Sequence, residues 1–153
     1  KMNEWQQKRI LKIILDKLFG TVAGKNIAIL GFAFKANTND TRESPSISIA
    51  KNLLKEGVEL NFYDPRVKKE QIFREFVAEE YKDKIFVCES GISAAKGTDA
   101  VIILTEWEQF IDLDWELIFQ VMRKPAWVFD CRNYLDANHL RNIGFKVWTL
   151  GQS

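Results

Sequence analysis

Apolar residues recur along this chain in two rhythms. Leu11, Ile14, Leu15 and Leu18 follow helical spacing over residues 4–19, with Asn3 placed as N-cap and Gly20 as the residue that ends the helix. Residues 26–31 read as a short apolar strand running into Gly31. Ser44 and Pro45 mark the next helix start, because a serine hydroxyl caps an orphan N–H and proline has none to satisfy. Ile47, Ala50, Leu53 and Leu54 predict the buried face of that helix, and Gly57 its end. Val58, Leu60 and Phe62 then alternate with Glu59, Asn61 and Tyr63, the rhythm of a strand, which stops at Asp64-Pro65.

Residues 66–82 predict a charged helix, Ile85–Cys88 a third strand and residues 91–96 a short helix. Ala100–Leu104 is a continuous apolar run, as expected of a central parallel strand buried on both faces. A helix around 113–122, a strand at Ala126–Phe129, a short helix marked by Leu140 and Ile143, and a strand at Phe145–Leu150 complete the pattern. Strands alternating with helices, without hairpin turns, predict an α/β fold with a doubly wound, mainly parallel six-stranded sheet and helices on both faces.

In such a sheet, of order 3-2-1-4-5-6, ligands bind outside the carboxyl ends of the strands, where strand order reverses. Polar residues cluster there. Lys35 follows the first strand, Asp64 the second, Thr105–Trp107 the fourth and Asp130–Arg132 the fifth. The segment 32–43 is long for a strand-to-helix connection, and long loops are more often functional.

Composition narrows the classes. The chain has 153 residues, 46% hydrophobic and 28% charged, the proportions of one globular domain. Twenty-two Lys and Arg against 21 Asp and Glu leave a net charge of +1, without the basic footprint of a nucleic-acid binder. No apolar run reaches the length of a membrane span and no signal-peptide layout opens the chain, so no membrane partner and a cytoplasmic location are expected. The abrupt start at Lys1-Met2-Asn3 fits a domain of a longer protein. Cys88 and Cys131 lie outside any metal-binding cluster, so no metal is expected. They fall on strands four apart, roughly 19 Å at the usual spacing. A disulfide needs Cα atoms within about 7 Å, so both are expected as free thiols.

Candidate chemistry starts at Gly31. A dinucleotide fingerprint needs three spaced glycines, and only Gly31 is present. The loop offers instead Lys35 and the helix start at Ser44, a combination suited to phosphate or carboxylate. The alternative is a solvated surface lysine. Arg42 is either a phosphate clamp or half of a surface ion pair with Glu43. Asp64 stands where a ribose-binding acid is found in dinucleotide folds, but 33 positions beyond Gly31 against about 20 usually, and an Asp-Pro turn accounts for it better. Arg132 either contacts a ligand or pairs with Asp130, which caps a turn. Trp107 and Phe110 are expected to pack rather than stack on a base. His139, the sole histidine, lies on a peripheral helix and is assigned no catalytic role.

Taken together, Gly31–Ser46, Tyr63-Asp64-Pro65, Thr105-Glu106-Trp107 and Asp130-Cys131-Arg132-Asn133 resemble, in order, motifs of the C-terminal domain of the UDP-glucose/GDP-mannose dehydrogenase family. Asn3–Arg9 resembles the helix leading into that domain. Phe32, with Thr41 before Arg42, is most similar to the members that oxidise UDP-glucose.

The resemblance implies a Rossmann-like fold with residues 1–20 as the end of a central linker helix and 21–153 as the C-terminal UDP-sugar-binding domain. It implies that Phe34, Lys35 and Arg132 contact the nucleotide sugar and that Arg42 reaches NAD. Partners implied are UDP-glucose and UDP-glucuronate, the N-terminal NAD-binding and central domains of the same enzyme, and a second copy of the full-length enzyme. Such enzymes oxidise UDP-glucose twice, using two NAD molecules. The family's catalytic cysteine lies in a glycine-rich motif that neither Cys88 nor Cys131 occupies. No catalytic residue is therefore expected in this chain, and the fragment is expected to be inactive alone. Rival readings are a dehydrogenase of GDP-mannose or of a UDP-N-acetylhexosamine, and a stand-alone, non-catalytic nucleotide-binding module.

Overall fold

A computed structural model describes residues 3–18, 24–33, 44–76 and 79–150. Among them β1 (Asn26–Leu30), β2 (Glu59–Tyr63), β3 (Ile85–Val87), β4 (Ala100–Ile103), β5 (Trp127–Asp130) and β6 (Lys146–Thr149) form one sheet. Its order is β3-β2-β1-β4-β5-β6 and every pairing is parallel, as the strand–helix alternation predicts. Strand order reverses between β1 and β4. The crevice expected of this topology therefore opens above Leu30 and Ile103, which are register partners.

Side chains alternate across the sheet with the period of two that strand geometry imposes. Ile27, Ile29, Leu60, Phe62, Ala100 and Ile102 face one layer, packed against Ile10 and Ile14 of α1 (Glu4–Lys17), Ile49 and Leu53 of α2 (Pro45–Lys55) and Ile72 of α3 (Lys69–Arg74). Ala28, Leu30, Val101, Ile103, Val128 and Val147 face the other. That layer holds α4 (Gly91–Ala95), α5 (Glu108–Ile111), α6 (Trp115–Val121) and α7 (Ala137–Ile143), through Ala94, Phe110, Ile118 and Leu140. Each fully buried Ile, Leu or Phe contributes about 1.5–3 kcal/mol. Both faces of the sheet are covered from within the chain.

Local signals explain where the first helices begin and end. Asn3 and Gln6 form a reciprocal capping box on α1, with Gln6 N–H donating to Asn3 Oδ1 at 2.8 Å and Asn3 N–H to Gln6 Oε1 at 3.2 Å. The expected cap Gly20 lies outside the described residues. Ser44 caps α2, Pro45 takes its first position, and Gly57 leaves it at φ +91°.

Three details differ from the sequence expectation. Ile49, not Ile47, occupies the core face of α2, and Ile47 is half-buried. The helix expected over 66–82 is two pieces, α3 and a 3₁₀ turn at Glu79–Lys84. Between them Phe76 turns inward, its ring 6.1 Å from Phe32 and 5.6 Å from Phe62, so aromatic packing overrides a charged helical pattern. The helix expected around 113–122 is preceded by a separate one, α5, and starts at Asp114, whose carboxylate accepts from Leu117 N–H.

Candidate functional site

Three residues at the end of β1, Gly31-Phe32-Ala33, have every backbone polar group engaged. Gly31 N–H donates to Tyr63 O at 2.8 Å, continuing the sheet ladder. Gly31 O accepts from the Ser46 hydroxyl at 2.8 Å and Phe32 O from the Ser44 hydroxyl at 2.8 Å. Asp64 Oδ2 accepts both Phe32 N–H at 2.7 Å and Ala33 N–H at 2.9 Å. Ala33 O accepts from the Thr105 hydroxyl at 2.9 Å. Six groups thus meet the ends of β2 and β4 and the first turn of α2. In a buried setting each bond left unmade costs about 1–3 kcal/mol, so the three-residue stalk is strongly specified.

Gly31 is required here. Its φ is +101°, and a Cβ at this position would stand 2.6 Å from both Cβ and Oγ1 of Thr105. The ends of β1 and β4 can approach this closely because the residue has no side chain.

Asp64 does more than turn the chain. Its Oδ1 accepts Arg66 N–H at 2.8 Å, the expected aspartate-proline turn. Oδ2 takes the stalk and also the Trp107 indole N–H at 3.1 Å. Four donors occupy this buried carboxylate. It is not presented to a ribose, and Phe32 and Ala33 N–H are not presented to a pyrophosphate. The described residues at the β1 turn therefore do not fit a dinucleotide such as NAD.

Two strands from the stalk, Asp130 is fully buried at the end of β5. It accepts Arg132 N–H on Oδ1 and Tyr134 and Leu135 N–H on Oδ2, at 3.2, 2.8 and 2.7 Å. Burial raises the pKa of its carboxyl, and the backbone donors, Leu135 first, oppose that shift. The Arg132 side chain does not pair with Asp130, the alternative weighed from the sequence. Its Nε and Nη2 donate to Glu106 Oε1 at 3.0 and 2.8 Å. The guanidinium remains partly exposed, at 26%.

Trp107 and Phe110 are core residues, and His139 is exposed on α7. Neither thiol is disulfide-bonded. Cys131 is fully buried, and burial pushes its thiol far up, the Asp130 charge adding and Arg132 opposing. Cys88 is half-buried and likewise raised by burial, against a hydrogen bond from Ser93. Among the described residues no group of three His, Cys, Asp or Glu could hold a metal ion, and no helix is long and apolar enough to cross a membrane. Phe34, Lys35 and Arg42, the other expected contact residues, lie outside the described residues.

The Arg132–Glu106 pairing has no local signal in the sequence. Glu106 was visible only as the middle of Thr105-Glu106-Trp107, without a signal that the two strand ends meet. The roles of Ser44 Oγ, Ser46 Oγ and Thr105 Oγ1 were likewise invisible, because hydroxyl residues carry no periodicity.

Comparison with known proteins agrees with this geometry. The UDP-glucose/GDP-mannose dehydrogenase family, UDP binding domain, matches residues 28–137. The chain is 45% identical over 158 residues to UDP-glucose 6-dehydrogenase of Drosophila melanogaster, covering 99% of this chain and 33% of that protein. It is 40% identical over 167 residues to UDP-glucose 6-dehydrogenase 3 of Arabidopsis thaliana, covering 99% and 35%. The chain thus spans about a third of the length of the curated relatives it matches. Among solved structures, a UDP-D-ManNAc dehydrogenase from Pyrococcus horikoshii superposes with a TM-score of 0.72 at 26% identity, over 95% of this chain and 30% of that one. A UDP-glucose dehydrogenase from Pyrobaculum islandicum shares the fold, with a TM-score of 0.68 at 23% identity, over 94% and 31%. On the stalk geometry and the family match together, the chain belongs to the UDP-glucose/GDP-mannose dehydrogenase family, as its UDP binding domain.

Proposed function

We propose that this chain is the UDP-sugar-binding part of an NAD-dependent UDP-glucose 6-dehydrogenase, an enzyme that oxidises UDP-glucose to UDP-glucuronate. The observation that supports this most is the stalk. Gly31–Ala33 is fixed by six hydrogen bonds at the point where strand order reverses, and the Arg132 guanidinium, from the end of β5 two strands away, reaches Glu106 just after the neighbouring β4. A rigid stalk leads directly into Phe34 and Lys35, the residues that resemblance assigns to the nucleotide sugar. Residues 1–20 are read as the end of the linker helix and 21–153 as the binding domain.

The domain's work in this reading is positioning. Lys35 and Arg132 compensate the charge of the diphosphate and fix its orientation, which sets where the sugar's primary hydroxyl lies relative to reactive groups held elsewhere. NAD, when bound to such an enzyme, accepts the hydride. Because the described turn after β1 does not fit a dinucleotide, NAD is assigned to another domain of the longer enzyme, with Arg42 reaching toward it. The catalytic cysteine is assigned there too, a reading supported by the burial of Cys131 and by the absence of the family's glycine-rich cysteine motif around Cys88. The reading also takes the enzyme to be cytoplasmic and a homo-oligomer.

Calorimetric titration with UDP-glucose tests the assignment. Lys35→Ala and Arg132→Ala are each expected to weaken binding about tenfold while leaving the unfolding midpoint unchanged, as lost phosphate contacts do. Wild-type affinity in both variants contradicts it. A second reading, a dehydrogenase of an N-acetylated UDP-hexosamine, is favoured by one observation, the 26% identity to the Pyrococcus horikoshii UDP-D-ManNAc dehydrogenase. The higher identity to curated UDP-glucose enzymes favours the first.

A further inference from the structure

The contact between Glu106 and Arg132 engages two donors of one guanidinium. Both guanidinium donors on the inner edge, Nε and Nη2, converge on one carboxylate oxygen, at 3.0 and 2.8 Å. Among the described residues, the opposite edge, Nη1, carries no hydrogen bond. The pair therefore occupies one side of the fork and leaves the other available.

Both partners also stand on anchored backbone. Glu106 sits between Thr105, whose hydroxyl donates to Ala33 O, and Trp107, whose indole donates to Asp64. Both neighbours are buried, and Trp107 N–H donates to Thr105 O at 3.0 Å. On the other side, Arg132 N–H is held by the buried carboxylate of Asp130. Most exposed ion pairs contribute little because two long side chains must be ordered for one contact. Here the backbone on the Glu106 side is ordered by the network that fixes the Gly31–Ala33 stalk, and on the Arg132 side by the separate Asp130 turn.

We propose that Glu106 is a positioning residue for nucleotide binding: it holds the inner edge of the Arg132 guanidinium so that Nη1 is presented to the diphosphate of a nucleotide sugar. This rests on the reading of Arg132 as a substrate contact. Glu106 cannot itself bind an anion, and its charge alone disfavours one; its contribution is the orientation of a donor. Preorganising one fork edge removes side-chain freedom that binding otherwise has to remove.

A double-mutant cycle on the affinity of this chain for UDP separates the possibilities. Arg132→Ala and Glu106→Ala are each expected to weaken UDP binding about tenfold, and the double variant no more than Arg132→Ala alone. Glu106→Gln keeps an acceptor for Nε and Nη2 and is expected to stay within about threefold of wild type. The Arg132 Nε–H resonance should be sharp and protected in wild type and Glu106→Gln, and lost to exchange in Glu106→Ala. Tighter UDP binding in both Glu106 variants overturns the proposal, because it shows that Glu106 competes with the ligand. Additive losses in the double variant overturn it as well. If Arg132→Ala binds UDP as wild type does, the substrate-contact reading of Arg132 fails first, and that outcome is visible separately.

Discussion

The Trp107 indole Nε1 donates to Asp64 Oδ2 at 3.1 Å, joining the carboxyl ends of β4 and β2 over the end of β1 that lies between them. The same oxygen holds the N–H groups of Phe32 and Ala33. One carboxylate therefore fixes the height and direction at which the chain leaves β1 toward Phe34 and Lys35. The end of β1 is held by a buried acid, not by the glycine-rich turn of a dinucleotide fold.

Removing that acid should be costly. Asp64→Ala leaves four donors without their acceptor in a buried setting, and a loss of about 3 kcal/mol or more is expected from urea unfolding. Trp107→Phe keeps the packing and removes one donor, for an expected loss of about 1–2 kcal/mol. A loss below about 1 kcal/mol in Asp64→Ala shows that the stalk is held by something else.

Glycine at two positions should behave differently under the same substitution. Gly24 has φ +78° and open space around a hypothetical Cβ, whereas Gly31 combines φ +101° with Thr105 at 2.6 Å. Gly24→Ala is expected to cost about 1 kcal/mol from backbone strain alone. Gly31→Ala adds a steric clash with a strand end and should cost about 3 kcal/mol or more. Thermal unfolding of the two variants compares them directly, and equal midpoints contradict the close approach of β1 and β4.

The two thiols make a prediction about pH. Both are raised in the folded state, by burial first, so above the ordinary thiol value of 9.0 the unfolded chain loses protons that the folded chain keeps. The linkage sign follows: the unfolded state binds fewer protons, so stability is fully present below that value and falls as pH rises beyond it. In native protein, iodoacetamide should modify Cys88 slowly and Cys131 only on unfolding. The double variant Cys88→Ser, Cys131→Ala should show a weaker decline between pH 9 and 10.5. Rapid modification of Cys131 in native protein contradicts its burial.

Much of the fold was legible because it is written in periodicity. The six strands, their parallel pairing and the caps Asn3, Ser44 and Gly57 all follow from apolar spacing and from residues with one dominant local role. The break after α3 was not legible, since nothing in the charged run 66–82 shows that Phe76 is drawn to Phe32 and Phe62. At the strand ends, the sequence shows which polar residues are placed there but not how they are wired. Asp64 is at the strand end where a ribose acid was considered, and as an Asp-Pro turn it does bind Arg66 N–H. Its larger role depends on Trp107, 43 residues away, and Arg132 depends on Glu106, 26 residues away. Contacts of that range are set by the topology, not by any local pattern.

The most direct test of the binding account is an amide NMR titration of this chain with UDP-glucose, GDP-mannose and NAD, each alone. Perturbations with UDP-glucose are expected to be confined to Gly31–Ala33, the residues leading into Lys35, and the Glu106 and Arg132 strand ends, with smaller ones from GDP-mannose and none from NAD. Perturbations at the opposite ends of the strands, or a stronger response to NAD than to UDP-glucose, contradict it.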